Sequence, residues 1–445
     1  MNLRRIAAVW TSKLTAKVCK MLGKQGVTWA GKIALAIDPN ILSELAGDIR
    51  EKIFVVCGTN GKTTTNNLLC SALEAQNKKV VCNHTGSNML NGCVASFVLA
   101  AGYNGRLDAD YACIEADEAS AHHMFSYFKP DYCILTNLFR DQLDRYGEID
   151  ITMNLIRDAM RMVPDMKVIV NADDALSTYV AMESGNEFVT YGIGEKVFEE
   201  SINEIKEGRF CKKCGAKMNY HFYHFSQLGD YYCSSCDFKR PEIKYNASSI
   251  ETGNHLAFDV EGHHIKANYR GFYNIYNILA VYAAVREAGI SITNFQKVLE
   301  QYNPENGRNE HFSIKGTEII LNLAKNPAGF NQNISAVMED QNKKDLIILI
   351  NDNDQDGTDV SWLWDVDFDR LQSDSINSIT VSGIRCQDMR LRLKYVDIPS
   401  KLEPDVEKAI RERIQNGCKN LYVLVNYTGL YSTHNVLKKL EGEAS

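Results

Sequence analysis

Residues 58–65 read Gly-Thr-Asn-Gly-Lys-Thr-Thr-Thr, follow the apolar run Ile53–Cys57 and open a helical pattern over Asn66–Gln76. A glycine-rich turn between a strand and a helix gathers backbone N–H groups and a helix N-terminus around an anion. Lys62 adds a point charge for the outer phosphates, and Thr63 offers a hydroxyl to Mg²⁺. The run predicts that Gly58, Thr59, Asn60, Gly61, Lys62, Thr63 and Thr64 hold a nucleoside triphosphate. Its spacing is tighter than the usual phosphate loop, because Val56 rather than glycine stands four residues before Asn60. The competing reading is a chance Gly-Lys-Thr on a surface turn.

From about residue 46 to 200, short apolar runs alternate with helical stretches. The runs are Ile53–Cys57, Lys79–Cys82, Tyr111–Ile114, Tyr132–Leu135 and Val168–Val170. This alternation predicts a mostly parallel sheet with helices on both faces. Ligands in such sheets sit beyond the carboxyl ends of the strands. Residues 201–245 break the pattern, and a helical segment at Ile275–Ala288 resumes it. Past a boundary near 310–315, the runs Glu318–Leu323, Leu346–Ile350, Ser378–Val381 and Asn420–Val425 predict a second, smaller α/β domain. The expected division is a helical lead-in at 1–45, a central domain at 46–312 with an insert at 201–245, and a last domain at 313–445.

The chain has 445 residues, room for two or three domains. A net charge of −7 without a long basic block argues against a nucleic-acid binder. No apolar stretch is long enough to span a bilayer, and Lys13, Lys17 and Lys20 interrupt any secretory apolar region. Nine of the thirteen cysteines are scattered as buried free thiols would be, so a reducing, cytoplasmic location is expected. The lead-in sets Arg4, Arg5, Lys13, Lys17, Lys20 and Lys24 among Leu3, Ile6, Val9, Trp10, Leu14, Val18 and Leu22. Two readings stay open: a packed helix with a solvated basic face, or a peripheral contact with the anionic inner face of the cytoplasmic membrane.

The remaining four cysteines form two pairs, Cys211-Lys-Lys-Cys214 and Cys233-Ser-Ser-Cys236, eighteen residues apart. Two such pairs supply four thiolates for tetrahedral Zn²⁺ in a zinc ribbon. A closed four-thiolate site is structural rather than catalytic. Tyr220, Phe222, Tyr231 and Tyr232 are expected to pack its small core. The alternatives are a redox pair or unpaired thiols.

Polar segments follow the strand-like runs: Glu115-Ala-Asp117-Glu118, Thr136-Asn137 with Asp141 and Asp144, and Asn171-Ala-Asp173-Asp174. The three carboxylates Glu115, Asp117 and Glu118 suit Mg²⁺, which takes oxygen ligands. For that segment alone a solvated acidic turn is the competing reading, and the other two segments are weak signals singly. Together with the phosphate loop, with Asn274-x-x-Asn277 and with Gly307-Arg308-Asn309-Glu310, they resemble the Mur ligase superfamily of ATP-dependent amide-forming enzymes. The resemblance implies that Glu115 and Thr63 hold Mg²⁺, that Asn274 and Asn277 approach the adenine side of ATP, and that Arg308 reaches its phosphates. Leu323-Ala-Lys-Asn-Pro-Ala-Gly329 resembles the family's ribose-contacting stretch. Lys62 would stabilise charge on the transferring phosphoryl group.

The chain departs from the family in three places. Only about 45 residues precede the first strand, too few for the usual nucleotide-sugar domain. Gln142 stands where a histidine is common, and no lysine lies between Glu148 and Met166 where some members carry a carbamoylated one. The cysteine insert and the stretch Asp356-Gly-Thr-Asp359-Val-Ser-Trp362-Leu-Trp364-Asp365-Val-Asp-Phe368 resemble one branch, the synthetase subunit of an enzyme that amidates lipid II. That branch implies ATP-driven conversion of the D-glutamate α-carboxyl to D-isoglutamine through an acyl phosphate. Ammonia would come from the glutaminase subunit GatD, in a heterodimer. Asp359, or failing it Asp356, would complete that partner's catalytic triad. The segment His84–Gly92 is read equally as a substrate contact or a plain connection. A stand-alone amino-acid ligase of the folylpolyglutamate synthase kind is the runner-up, and a nucleotide-dependent scaffold the third reading.

Overall fold

The computed structural model describes residues 3–21, 26–84, 87–140, 149–198, 207–253, 255–268, 270–302 and 310–444. Three helices lead in, α1 (Leu3–Met21), α2 (Val27–Ile37) and α3 (Ile41–Ala46). The alternating unit follows: β1 (Lys52–Cys57), α4 (Lys62–Glu74), β2 (Val80–Cys82), α5 (Leu90–Ala100), β3 (Tyr111–Glu115), α6 (Glu118–Phe125), β4 (Tyr132–Leu135), α7 (Ile149–Arg161), β5 (Lys167–Asn171), α8 (Ala175–Ser184) and β6 (Phe188–Ile193). A hairpin of β7 (Met218–Phe225) and β8 (Leu228–Cys233) stands apart as a two-stranded sheet. The chain then returns through β9 (Tyr245–Glu251), β10 (Leu256–Val260) and β11 (His263–Ala267) to α9 (Tyr273–Glu287) and α10 (Phe295–Gln301).

These strands form one sheet in the order β11-β10-β9-β6-β5-β4-β1-β3-β2. Pairing is parallel from β2 to β9, and β10 and β11 add an antiparallel edge. Every residue of β1 after Lys52 is buried, as a strand covered on both faces requires. Ile53, Val55 and Cys57 enter the core on one face, and Phe54 and Val56 the core on the other. Residues 274–285 of α9 are buried throughout, which explains an apolar run without a polar stripe. Ala8, Val9, Ala34, Ile41 and Leu45 of the lead-in share a core with Phe97 and Val98 of α5.

The last unit holds β12 (Glu310–Ile314), β13 (Thr317–Leu323), α11 (Pro327–Glu339), β14 (Lys344–Leu349), β15 (Ile376–Ser382), α12 (Cys386–Lys394), β16 (Lys401–Leu402), α13 (Val406–Gln415), β17 (Asn420–Val425) and α14 (Tyr427–Ala444). Its sheet runs β12-β13-β17-β14-β15-β16, parallel except at the β12–β13 hairpin. The α/β class read from the sequence holds for both units. Three differences have physical causes. Helix α4 begins at Lys62, four residues before its apolar pattern, because its opening turn is the polar run Lys62–Thr65 that leaves the glycine loop. Strands β9–β11 escape an apolar search, since β9 (Tyr-Asn-Ala-Ser-Ser-Ile-Glu) is half polar and lies toward the sheet edge. The second sheet opens at Glu310, so the boundary expected at 312/313 falls inside β12.

Candidate active site between the two sheets

In the first sheet the strand order reverses at β1, which lies between β3 and β4. A crevice opens beyond the carboxyl edge at such a point, and the loop leaving β1 fills it. Gly58 and Gly61 take φ of +117° and +82°. A Cβ on Gly61 would stand 2.2 Å from Asn277 Oδ1, and one on Gly58 2.4 Å from Thr136 Oγ1. Both positions therefore require glycine twice over, for conformation and for space. The loop is clamped from β4: the Asn60 N–H donates to Asn137 Oδ1 at 2.9 Å, and Thr136 Oγ1 donates to the Asn60 carbonyl at 2.8 Å.

The lysine of the loop is folded inward. Lys62 Nζ donates to the carbonyls of Gly58 and Thr59 and lies 3.2 Å from Glu118 Oε1. Both side chains are buried. Thr63 Oγ1 donates to Glu115 Oε2 at 2.5 Å, and Asn88 Nδ2 donates to the other oxygen at 3.0 Å. This hydroxyl and carboxylate are oxygen donors of the kind Mg²⁺ takes. The three carboxylates read together after β3 thus separate: Glu115 faces Thr63, Glu118 pairs with Lys62, and Asp117 caps α6 through the Ala119 N–H.

Two other polar segments have defined places. Asn171, Asp173 and Asp174 are fully buried supports. Asp174 caps α8 and accepts the Leu138 N–H at 2.8 Å, and burial raises its pKa. Asp173 binds Arg240, the Tyr276 hydroxyl and the Ile193 N–H. Asn277 lies against the phosphate loop, its Oδ1 3.4 Å from Thr65 Oγ1, and Asn274 Oδ1 accepts from Asn277 Nδ2 at 3.0 Å. Both asparagines line the same cavity as the loop. Arg308, Gly307, Asn309, Asp141, Gln142 and Asp144 lie outside the described residues.

That cavity, about 650 Å³, opens between the carboxyl edges of the two sheets. Thr59–Thr64 form one wall with Glu115, and Lys325, Gly329, Gln355 and Thr428 of the last unit face them. Asn326 caps α11 through the Gly329 N–H and also donates to Asn60 Oδ1 at 3.2 Å, so one side chain touches both units. Arg140 with Asp365, and Arg270 with Asp340 at 3.3 Å, are further bonds across the gap.

The acidic loop after β14 divides in the same way. Asp356 is buried and accepts from the Thr428 N–H at 2.8 Å and from its hydroxyl. Asp352 pairs with Arg385 at 2.9 Å. Asp359 is exposed. It accepts from the Ser361 N–H at 2.7 Å and the Ser361 hydroxyl at 2.9 Å, and these donors hold its carboxyl below the ordinary carboxylate range.

The four cysteines of the insert converge. Cys211 and Cys236 sulfurs lie 3.6 Å apart, those of Cys214 and Cys233 3.5 Å apart, and all four fall within 4.8 Å of one another. A tetrahedron with Zn–S bonds of 2.3 Å has edges of about 3.8 Å, while a disulfide needs about 2 Å. The donor set therefore fits zinc. The Ser235 N–H helps lower the Cys233 thiol to about 7. Tyr231 sits in the ribbon core with Met218 and Phe238, against Ala175 and Tyr179 of α8. Tyr220 flanks that core, whereas Tyr232 stacks on His221 and Phe222 lies under Arg240.

Sequence reading missed the far end of this hairpin. Phe225 and Leu228 line the cavity, and Gln227 between them donates to the Leu138 carbonyl and to Asp174 Oδ1. Nothing in their sequence marks them, because the register that brings the hairpin tip to β4 is a tertiary fact. Tyr273, Tyr427, Tyr431 and His434 also reach the cavity unannounced.

A phosphate loop at the reversal of one parallel sheet, closed over by a second sheet's carboxyl edge, is the arrangement of an ATP-dependent ligase. The family model for the Mur ligase middle domain matches residues 56–285, and that for the MurT ligase C-terminal region matches residues 323–430. The chain is 35% identical over 431 residues to the lipid II isoglutaminyl synthase (glutamine-hydrolyzing) subunit MurT of Staphylococcus aureus (strain COL), covering 96% of each. It is 32% identical over 442 residues to the MurT subunit of Streptococcus pneumoniae, covering 98% of each. Among solved structures it resembles a pseudomurein peptide ligase type C from Methanothermus fervidus (TM-score 0.69, 20% identity, 88% of this chain and 79% of that one). It also resembles the MurF ligase from Thermotoga maritima in complex with ADP (TM-score 0.62, 15% identity, 92% and 84%). The chain belongs to the Mur ligase family and, within it, to the MurT subunits.

Proposed function

We propose that this chain is the synthetase half of a glutamine-dependent amidotransferase that amidates lipid II. ATP would lie on Gly58–Thr64, with Asn274 and Asn277 beside it and Arg308 reaching its phosphates. Thr63 and Glu115 would hold Mg²⁺, which neutralises phosphate charge when bound. A carboxylate of the acceptor, the α-carboxyl of D-glutamate in the stem peptide, attacks the γ-phosphorus. The bond to the β-γ bridging oxygen breaks, leaving ADP and an acyl phosphate. Ammonia adds to that carbonyl, loses a proton and expels inorganic phosphate, giving the D-isoglutamine amide. Lys62 and the loop N–H groups stabilise charge developing on the phosphoryl oxygens.

The observation that carries this reading is the shared cavity, with the phosphate loop on one wall and the last domain on the other. The MurT relatives are named as subunits of a glutamine-hydrolysing synthase. A glutaminase subunit of the GatD kind would supply ammonia. The exposed, low-pKa carboxylate of Asp359 suits the task of orienting a partner's histidine, and the inward lock of Asp356 does not. Zn²⁺ on Cys211, Cys214, Cys233 and Cys236 would be structural. The division into lead-in, central and last domains would place activation in the centre and partner contact on the last domain.

The test is incubation of the chain and its glutaminase with lipid II, ATP and glutamine. Mass analysis should show a loss of about one mass unit, as a hydroxyl becomes an amino group. An acceptor that instead gains an amino-acid residue, without need of the glutaminase, would support the stand-alone ligase.

A further inference from the structure

Helix α1 has two apolar sides, and only one of them is packed. Ala8, Val9 and Ser12 are buried against the body, with the Ser12 hydroxyl donating to the Ala30 carbonyl. On the opposite side Leu3, Trp10, Leu14, Val18 and Met21 are 75%, 54%, 63%, 45% and 79% exposed. At 100° per residue these five side chains fall within about a quarter-turn of one another, roughly opposite the buried trio. Trp10 is not a loose side chain. Its indole N–H donates to the Tyr103 carbonyl at 2.9 Å, and its ring lies 4.9 Å from the exposed Tyr103 ring. The polar edge is satisfied and the apolar ring is held at the surface, as aromatic residues sit at a membrane interface.

Charge is segregated in the same place. The chain carries −7 overall, yet α1 has Arg4, Arg5, Lys13, Lys17 and Lys20 and no acidic residue. Arg5 is turned in to Glu44 and Asp48, and Lys13 donates to the Leu99 carbonyl at 2.7 Å. Arg4, Lys17 and Lys20 are exposed beside the apolar stripe. A second copy docked on this stripe would bring like charges together, whereas an anionic lipid surface would attract them. We infer that the outer face of α1 is a docking surface for an anionic phospholipid bilayer, with Leu3, Trp10, Leu14 and Met21 entering the interface and Arg4, Lys17 and Lys20 meeting the headgroups. The surface stands on its own geometry. Its purpose, holding the enzyme where a lipid-linked acceptor lies, rests on the proposed function.

The experiment is co-sedimentation of the full chain with vesicles, without ATP or acceptor. One set contains equal parts phosphatidylglycerol and phosphatidylcholine, the other phosphatidylcholine alone. Binding to the anionic set only, weakening with salt, is expected. Leu14→Glu/Met21→Glu should abolish it, and Lys17→Glu/Lys20→Glu should weaken it at least about fivefold per lysine. Circular dichroism and ATP affinity should stay at wild-type values, since neither pair is buried. Wild-type protein that stays in the supernatant with both vesicle sets overturns the inference, as do variants that bind undiminished. A dimer in sedimentation velocity that Leu14→Glu/Met21→Glu dissociates, without vesicle binding, overturns it in favour of a second copy. Amidation of a soluble, short-tailed acceptor should be unaffected in both variants. Failure of that reaction in the wild type would count against the proposed chemistry and not against this surface.

Discussion

The Thr63 hydroxyl donates to the Glu115 carboxylate at 2.5 Å, joining the first turn of α4 to the end of β3. Val56 of β1 pairs with Glu115 in the parallel ladder, and the glycine loop after Cys57 turns Thr63 back over the end of β3 to meet that carboxylate. Glu115→Gln keeps the shape and removes the charge. The Mg²⁺ concentration needed for half-maximal ATP turnover should rise by at least about tenfold, with Tm little changed. A variant with the wild-type Mg²⁺ dependence would remove Glu115 from the metal site.

Lys62→Met should cut turnover by about a hundredfold or more, since a preorganised charge on the phosphoryl group is lost. It should also destabilise the fold by about 3 kcal/mol, because Glu118 is buried beside it and loses its cation. Adding Glu118→Gln should recover most of the thermal stability and none of the activity. Recovery of both would show that Lys62 is structural alone.

Asp359→Asn and Asp356→Asn should behave differently. The first should abolish glutamine-dependent amidation while free ammonia still supports product and the partner still binds. The second loosens the start of α14 at Thr428, so the expected effect is about 1–3 kcal/mol of stability. Full glutamine-dependent activity in Asp359→Asn would exclude it as the acid of a shared triad.

Metal analysis should find about one zinc per chain, bound without nucleotide. Cys211→Ser/Cys236→Ser should lose it and melt earlier. Absence of zinc from the freshly purified chain, with all four thiols open to titration, would refute the ribbon.

Asp365→Ala breaks the pair with Arg140 across the cavity, where both side chains are partly exposed. Screened pairs of this sort contribute little, so KM for ATP should rise by no more than about fivefold. A larger loss would mean that domain closure depends on this one contact.

The parts of the site that follow a local rule were legible in the chain. Gly58–Thr65 announces a glycine turn between a strand and a helix, and the paired cysteines announce their sulfur cluster, because both depend on residues close in sequence. The apolar runs of β4 and β17 mark those strands to the residue, since strands buried on both faces leave no polar interruption. The rest depends on what meets what. Asp173 and Asp174 follow a strand much as the carboxylates after β3 do, yet the fold buries both, one against Arg240 and the other against the Leu138 N–H. The family resemblance ranks Asp359 above Asp356 without a physical reason, and the packing of Thr428 is what turns Asp356 inward.

The hairpin of the insert has a thiol cluster at one end and Phe225 and Leu228 at the other, the latter forming part of the cavity wall. One antiparallel β-ribbon joins the two ends, and Gln227 at its tip ties it to the Leu138 carbonyl and to Asp174. If the thiols hold zinc and the cavity holds ATP, as proposed, stripping the metal should first show as a weaker grip on ATP, before the enzyme itself comes apart.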